Sequence, residues 1–162
     1  MVLLQQAGVL KAIVLFRSLS NFRDLYNLRH LVRRWCATTH TFFFSCGELT
    51  VTLEDVANQL FLSILGGIDL ATIELSPKEE DIEAELKKRI TGNAKLSYWV
   101  SSSSKFSVVA RHVAFVAFWL CKFVFGSHPH FAIKSLYFPL AIKISARVSL
   151  LLAPMFLGHL YV

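Results

Sequence analysis

The sequence predicts a mainly α-helical, multi-helix domain with one short β-hairpin at about residues 41–51. Three observations support this fold class. Over most of the chain, apolar residues recur at intervals of three or four, which is the spacing of one face of an α-helix. Residues 41–51 instead carry aromatic and β-branched side chains around a glycine, which is typical of two paired strands. Two polar residues that commonly cap helices, Thr52 and Ser76, precede helical segments.

The length and composition predict a single domain, residues 1–162, with an unusually apolar character. Hydrophobic residues make up 54% of the 162 residues. This composition favours either a membrane-associated protein or a partial domain whose other half covers apolar surface. Because the chain ends on an apolar run at residues 155–162, we expect a partial copy of a larger domain. Gly92 and the serines at 101–104 predict a flexible link near residues 92–105.

The charge of the chain is unevenly distributed. The formal net charge is +6, yet residues 37–76 contain acidic residues and no Lys or Arg. The excess positive charge lies in residues 1–36 and 96–162, and no carboxylate follows Glu85. Chemistry that needs a carboxylate would therefore lie in the first half of the chain.

The N-terminal segments are predicted to be helical. Residues 1–16 predict a short amphipathic helix, because Gln5 and Lys11 interrupt the apolar run that a secretory signal would need. Ser20 and Asn21 can cap the next helix. Four apolar residues recur on one face of that helix: Leu25, Leu28, Val32 and Trp35.

A basic flank runs beside this apolar face. Arg29 and Arg33 are four residues apart, as are His30 and Arg34, so each pair lies on one side of the helix. A phosphate group or an acidic partner would bind such a flank. The alternative is a charged face that contacts only solvent. These four residues form a possible interaction surface.

The predicted hairpin pairs residues 41–45 with residues 48–51 across a turn at residues 46–47. A two-stranded hairpin needs helices packed against it. Three consecutive phenylalanines predict that it is buried on both faces. We expect Glu48 to form a structural ion pair with Arg34 of the basic flank.

Two helices with clear start signals follow the hairpin. Thr52 is predicted to cap the first, with acidic residues in the opening turn where the helix dipole favours them. Ser76, Pro77 and Glu79 have the form of a capping box. The helix that they begin is charged nearly all round and is predicted to end at Ile90 on the surface.

The last third of the chain is predicted to form three apolar helices. Residues 106–125 are long enough to span a bilayer, but the basic residues inside this segment would be costly there, so we expect a buried central helix. Residues 136–146 and 150–161 predict two further helices, with Ser149 as a cap for the second.

The sequence contains no recognisable catalytic or metal-binding motif. Two groups of Cys and His residues lie close in sequence, but neither has the paired spacing of a zinc site. There is no nucleophile elbow and no phosphate-binding glycine loop. We therefore expect no enzyme, no cofactor and no metal site, and three unpatterned cysteines favour a reducing compartment. The Cys and His residues considered are Cys36, His40, Cys46, Cys121, His128 and His130.

Two blocks of the sequence resemble the plant mobile domain family, whose members are also labelled aminotransferase-like. The first block covers residues 31–35, 39–42 and 47–56, and the second falls within residues 117–161 in family order. The chain departs from the family pattern at Arg33 and at several positions up to Ser45, as a truncated or divergent copy would. The motif residues are Trp35, Thr39, His40, Thr41, Phe42, Gly47, Glu48, Thr50, Thr52, Leu53, Asp55 and Val56.

The resemblance implies a mostly helical domain of plant nuclear proteins and transposable elements, associated with meristem maintenance and transposon silencing. The resemblance transfers no catalytic residue. The aminotransferase-like label finds no support in the residues, because a pyridoxal enzyme needs an acid for the pyridinium nitrogen and no carboxylate follows Glu85. We expect a non-catalytic interaction or scaffold module in the nucleus that binds a protein partner. The alternatives are a nucleic-acid-binding remnant of a mobile element and, less in keeping with the basic residues in the apolar segments, a membrane-associated helical protein.

Overall fold

The computed structural model describes residues 2–18, 24–66, 73–90, 94–126 and 132–161. These residues form a mainly helical fold with one small antiparallel sheet, which confirms the predicted fold class. The strands are β1 Trp35–Cys36, β2 Thr41–Phe44 and β3 Gly47–Leu49. The α-helices are α1 Val2–Gln6, α2 Leu10–Ser18, α3 Leu25–Val32, α4 Leu53–Leu60, α5 Pro77–Ile90, α6 Leu96–Ser101, α7 Val108–Trp119, α8 Phe138–Ser145 and α9 Leu152–Leu160.

Helices α7 and α8 form the centre of the core. α7 continues through a π-helical stretch, Leu120–Val124, and α8 packs along it while α5 contacts both. Trp119 of α7, Phe138 of α8 and Leu86 of α5 are fully buried. The predicted central helix at residues 106–125 is therefore confirmed, and its inner face is buried as predicted. Its outer face carries exposed side chains.

No helix in the described parts of the chain combines the length and the apolar character needed to cross a membrane.

The sheet differs from the predicted hairpin in three ways. Trp35 belongs to a third strand and pairs with Phe42, although its spacing from Val32 fitted a helix. Phe44 pairs with Gly47, so the turn residues are 45–46, one position earlier than predicted. The sheet is not buried on both faces, because all of β3 is exposed.

The two strongest start signals after the hairpin are confirmed. Thr52 caps α4 in a capping box with Asp55. At the start of α5, the Glu79 carboxylate accepts hydrogen bonds from the Ser76 backbone N–H at 2.8 Å and from the Ser76 hydroxyl at 2.9 Å. Both signals depend only on residues three apart, which is why the sequence shows them.

Other helix starts are set by different residues from those predicted. Asp24 caps α3 by accepting a hydrogen bond from the Asn27 N–H at 3.1 Å, whereas Ser20 and Asn21 lie outside the described residues. Ser149 does not cap α9, whose cap residue is Leu151. The Ser149 hydroxyl instead donates to the Leu65 carbonyl at 3.1 Å.

Two other segments also differ from prediction. The N-terminal segment forms two helices, α1 and α2, because the chain turns at Gly8, whose φ is +75°. The predicted flexible link at residues 92–105 contains α6 and a 3-10 turn, with residues 91–93 outside the described part. Trp99 of α6 is buried, and its indole Nε1 donates to the Ala114 carbonyl at 3.0 Å. The charged helix α5 lies on the surface as predicted, with Leu86 buried on its inner side.

Candidate functional site

The motif residues lie together on the sheet, on the turns beside it and on the first turn of α4, and Tyr161 at the end of α9 packs against them. The Tyr161 ring stacks on Trp35 with ring centres 5.6 Å apart and planes within 11°. The His40 ring lies 5.5 Å from the same tyrosine. Trp35 also contacts Phe42 at 4.8 Å. One aromatic cluster therefore joins the first sequence block to the second.

Hydroxyl groups connect the same residues. The Thr50 hydroxyl lies 2.8 Å from the His40 carbonyl and 2.7 Å from the Tyr161 hydroxyl, which in turn contacts the Val51 carbonyl. At most two of these three contacts are hydrogen bonds at any one time, because each hydroxyl carries one hydrogen and donates once. His40 has a positive φ of 54°, a strained conformation for a non-glycine residue. The hydrogen bond to its carbonyl and the contact of its ring with Tyr161 stabilise His40 in this conformation.

Glu48 and Arg34 do not form the predicted ion pair. Glu48 accepts a hydrogen bond from the Thr41 hydroxyl at 3.0 Å, and Thr41 lies 2.7 Å from the Thr39 hydroxyl. The Arg34 guanidinium lies 5.1 Å from the centre of the Phe44 ring. The guanidinium also donates a hydrogen bond to the Phe43 carbonyl of β2 at 3.3 Å. The planar guanidinium thus stacks on an aromatic face instead of meeting a carboxylate.

The remaining motif residues begin α4. The hydroxyl and backbone donors of Thr52 hold the pKa of the Asp55 carboxyl below its usual value. Val56 is buried, while Leu53 is partly exposed at the start of the helix. Gly47 has a φ of +131°, which an L-residue rarely adopts, and it opens β3 after the turn. The motif therefore builds a turn, a sheet and a helix start.

The predicted interaction surface lies on α3 and just beyond its end. Arg29, His30, Arg33 and Arg34 are all exposed, and α3 buries none of its residues. Its apolar face is exposed too, since Leu25, Leu28 and Val32 each show more than half of their surface. Five residues of this region line a shallow cavity of about 280 Å³, and we call them the α3 surface: Leu25, Leu28, Arg29, Val32 and Arg33.

The cysteines occupy three different environments. Hydrogen bonds from the Thr39 hydroxyl and backbone lower the pKa of the Cys36 thiol. Cys46 is exposed in the hairpin turn. Burial raises the pKa of the Cys121 thiol, which accepts a hydrogen bond from the Lys134 N–H at 3.4 Å.

No group of three His, Cys, Asp or Glu side chains in the described part of the chain is placed to hold a metal ion. The histidines at 128 and 130, considered with Cys121 from the sequence, lie outside the described residues.

Sequence reasoning missed two features of the structure. Tyr161 belongs to the second block, but nothing in the sequence indicated that it packs on Trp35. Two cavities beside α7, of about 640 and 490 Å³, were also not predicted. A helix that is apolar nearly all round gives no sign of which part of its surface stays uncovered.

The comparisons with known proteins agree with the two sequence blocks. A family model described as the plant mobile domain matches residues 9–162. The chain is similar to the protein MAINTENANCE OF MERISTEMS of Arabidopsis thaliana, with 33% identity over 81 residues, and the match covers 45% of this chain but 16% of that protein. No solved structure matches the chain significantly. Because the family model covers nearly the whole sequence, we conclude that the chain belongs to the plant mobile domain family.

Proposed function

We propose that this chain is a non-catalytic protein-interaction module of a plant nuclear protein, linked to meristem maintenance and the control of transposable elements. The family membership and the similarity to MAINTENANCE OF MERISTEMS support the biological setting. The α3 surface is the observation that supports an interaction role.

Helix α3 has a well-formed apolar face that the described chain leaves uncovered. Burying a Leu or Val side chain contributes about 1.5–3 kcal/mol, yet Leu25, Leu28 and Val32 remain more than half exposed. An apolar face edged by charged residues is typical of a protein-binding site. The cations Arg29 and Arg33 on its edge favour an acidic partner.

The polar groups of the motif support a structural rather than a catalytic role. Glu48 and Asp55 accept hydrogen bonds from neighbouring threonines, and the Thr50 and Tyr161 hydroxyls each donate to a backbone carbonyl and lie 2.7 Å apart. These hydrogen bonds hold the sheet and the start of α4 together, which is a structural use of the same polar groups. We therefore assign no catalytic residue and no cofactor.

The test is affinity capture of the tagged chain from plant nuclei after nuclease treatment. We compare the wild-type chain with Leu28→Glu on the α3 surface and with Leu136→Glu, a control whose side chain is 73% exposed elsewhere. We expect at least one protein that the wild type and the control retain and that Leu28→Glu loses. Equal recovery with both variants, or no specific protein, would contradict the proposal.

Nucleic-acid binding is a second candidate, favoured by the exposed Arg29, Arg33 and Arg34. Three phosphate contacts give a slope of about −2.7 in log affinity against log salt, or a loss of about 40-fold from 50 to 200 mM. Titration of a fluorescent DNA duplex at these two salt concentrations checks this. A flat response would reject direct DNA binding.

A further inference from the structure

The outer side of α7 forms an open groove. One cavity, of about 640 Å³, lies between α6 and α7, and a second, of about 490 Å³, lies between α2 and the C-terminal half of the α7 region. Both are lined by Phe115 and Phe118, so they adjoin. Val108 at one end is 82% exposed, and Phe115 in the middle is also exposed. From Val108 to Lys122 this α7 groove follows the helix for about 20 Å.

Two buried polar atoms beside the groove have no hydrogen-bond partner among the described residues. Trp119, which is only 2% exposed, lines the second cavity, and its indole Nε1 makes no hydrogen bond. His112 lines the first cavity, and its Nε2 is likewise unpaired, while burial lowers the pKa of this imidazole. Trp99, by contrast, donates its indole hydrogen to Ala114. Buried donors without partners are rare, because they lose hydrogen bonds to water without replacement.

The charged side chains that line the groove are basic. Arg17, Arg111 and Lys122 line its walls. The lining helices α2, α6 and α7 and the stretch Leu120–Val124 contain no Asp or Glu. The apolar face of α3 from a second copy would bring more positive charge, so that face is a poor occupant. An acidic ligand matches the groove.

The shape of the groove favours a helix. An amphipathic helix binds an apolar groove through residues spaced three and four apart, and about 20 Å accommodates nearly four helical turns. The unpaired nitrogens of Trp119 and His112 are themselves buried, so a ligand would pair with them only if these side chains turned toward the groove.

We propose that the α7 groove binds an acidic amphipathic helix of a partner protein, with apolar side chains on Phe115 and Phe118 and carboxylates near Arg17, Arg111 and Lys122. This inference rests on the proposed function in one respect, which is that the ligand is a protein. It concerns a different surface from the α3 surface.

The probe is a fluorescein-labelled peptide of about 18 residues, roughly 27 Å as a helix, with leucines on one face and glutamates on its flanks. A control peptide carries lysines in place of the glutamates. Affinities are measured by fluorescence anisotropy for the wild-type chain, Phe115→Glu, Leu28→Glu and Leu136→Glu. Phe115 is exposed, so this change is compatible with folding, and circular dichroism checks the fold of each variant.

We expect the acidic peptide to bind the wild type, Leu28→Glu and Leu136→Glu with similar affinity. Phe115→Glu should weaken binding of the acidic peptide at least about tenfold, or by about 1.4 kcal/mol. The lysine peptide should bind the wild-type chain no more tightly than the acidic peptide binds Phe115→Glu. In nitrogen-15 spectra, the indole signals of Trp99 and Trp119, which line the two cavities of the groove, should shift on peptide addition.

Three results would overturn the inference. The first is no binding of the acidic peptide at about 100 μM, well above the dissociation constants of specific complexes. The second is loss of binding in Leu28→Glu but not in Phe115→Glu, which would place the peptide on the α3 surface and leave the proposed function standing. The third is a shift of the Trp119 signal with dodecanoate but not with the peptide, which would assign the groove to a small amphiphile.

Discussion

Tyr161 connects the end of α9 to the sheet through both its ring and its hydroxyl group. Its ring stacks on Trp35, and its hydroxyl lies 2.7 Å from that of Thr50, 111 residues earlier in the chain. It is one of the residues that join the two sequence blocks, since α4 of the first block also packs against α9 of the second. Its partners Thr50 and His40 are motif residues, which gives these positions a structural explanation.

We expect Tyr161→Phe to lower the free energy of unfolding by about 1 kcal/mol, because it removes a hydroxyl that donates to the Val51 carbonyl and lies beside the Thr50 hydroxyl. The ring and its stacking on Trp35 stay. Urea unfolding measures the change. Tyr26→Phe on the exposed side of α3 is the control and should change stability by less than about 0.5 kcal/mol. Equal effects of the two changes would show that the Tyr161 hydroxyl contributes nothing.

At the scale of single elements, the start of α4 shows how a local signal fixes a helix. The Thr52 hydroxyl accepts a hydrogen bond from the Asp55 N–H at 3.1 Å, and the Asp55 carboxylate accepts one from the Thr52 N–H at 2.9 Å. Both bonds satisfy backbone donors that the helix leaves unpaired. The helix start is therefore fixed next to the sheet.

Thr52→Ala should destabilise the chain by about 1 kcal/mol, the usual cost of losing a side-chain N-cap. Thr52→Ser keeps the hydroxyl and should recover most of the stability. Thermal unfolding followed by circular dichroism at 222 nm compares the three proteins. If the alanine and serine variants unfold at the same temperature, the cap is not what stabilises α4.

Helix α3 shows what periodicity alone leaves undetermined. The spacing of Leu25, Leu28 and Val32 correctly indicated a helix with one apolar face. It could not indicate whether another part of the chain covers that face, because coverage depends on tertiary contacts. Trp35 was assigned to the same helix for a related reason. Its spacing fits a helix, but pairing with Phe42 places it in a strand.

Leu28→Glu should change the free energy of unfolding by less than about 0.5 kcal/mol, because the side chain is already largely in solvent. Leu86→Ala in α5 is the contrasting change and should cost about 2–5 kcal/mol, because Leu86 is fully buried. Urea unfolding of both variants tests this difference. A large cost for Leu28→Glu would mean that α3 packs against the fold and is not free for a partner.

At the scale of the whole molecule, an ion pair joins α5 to α8. The Lys143 ammonium lies 2.8 Å from the Glu79 carboxylate, and both side chains are mostly buried. Burial alone would raise the pKa of Glu79, but hydrogen bonds from Lys143 and Ser76 outweigh it, and the pKa lies below its usual value. A carboxyl whose pKa is lower in the folded state stabilises the fold above its unfolded pKa and loses this effect as pH falls through the folded pKa.

Lys143→Met should therefore destabilise the chain more at pH 7 than at low pH, where Glu79 is protonated in the folded state. Urea unfolding from pH 7 down to pH 3 measures the difference between variant and wild type. The matched control is Lys87→Met, which removes an exposed i,i+4 pair with Glu83, worth about 0.3–0.5 kcal/mol. A difference from wild type that stays constant with pH would contradict the assigned pKa.

The central helices, like α3, show that the sequence predicts a helix but not which part of its surface other elements cover. The order and approximate bounds of α7, α8 and α9 follow from apolar spacing and from Pro139 in the first turn of α8. The α7 groove does not follow, because Phe115 and Trp119 are both apolar on the same helix. Only the positions of α2 and α6 leave the first exposed and the second buried.

The central claim is that the α3 surface binds a protein. The most direct measurement is the ratio of each nuclear protein captured by Leu28→Glu to that captured by Leu136→Glu, after nuclease, by quantitative mass spectrometry. We expect at least one protein whose ratio falls about tenfold, the effect of losing about 1.4 kcal/mol of binding free energy. Ratios near one for every protein would contradict the claim.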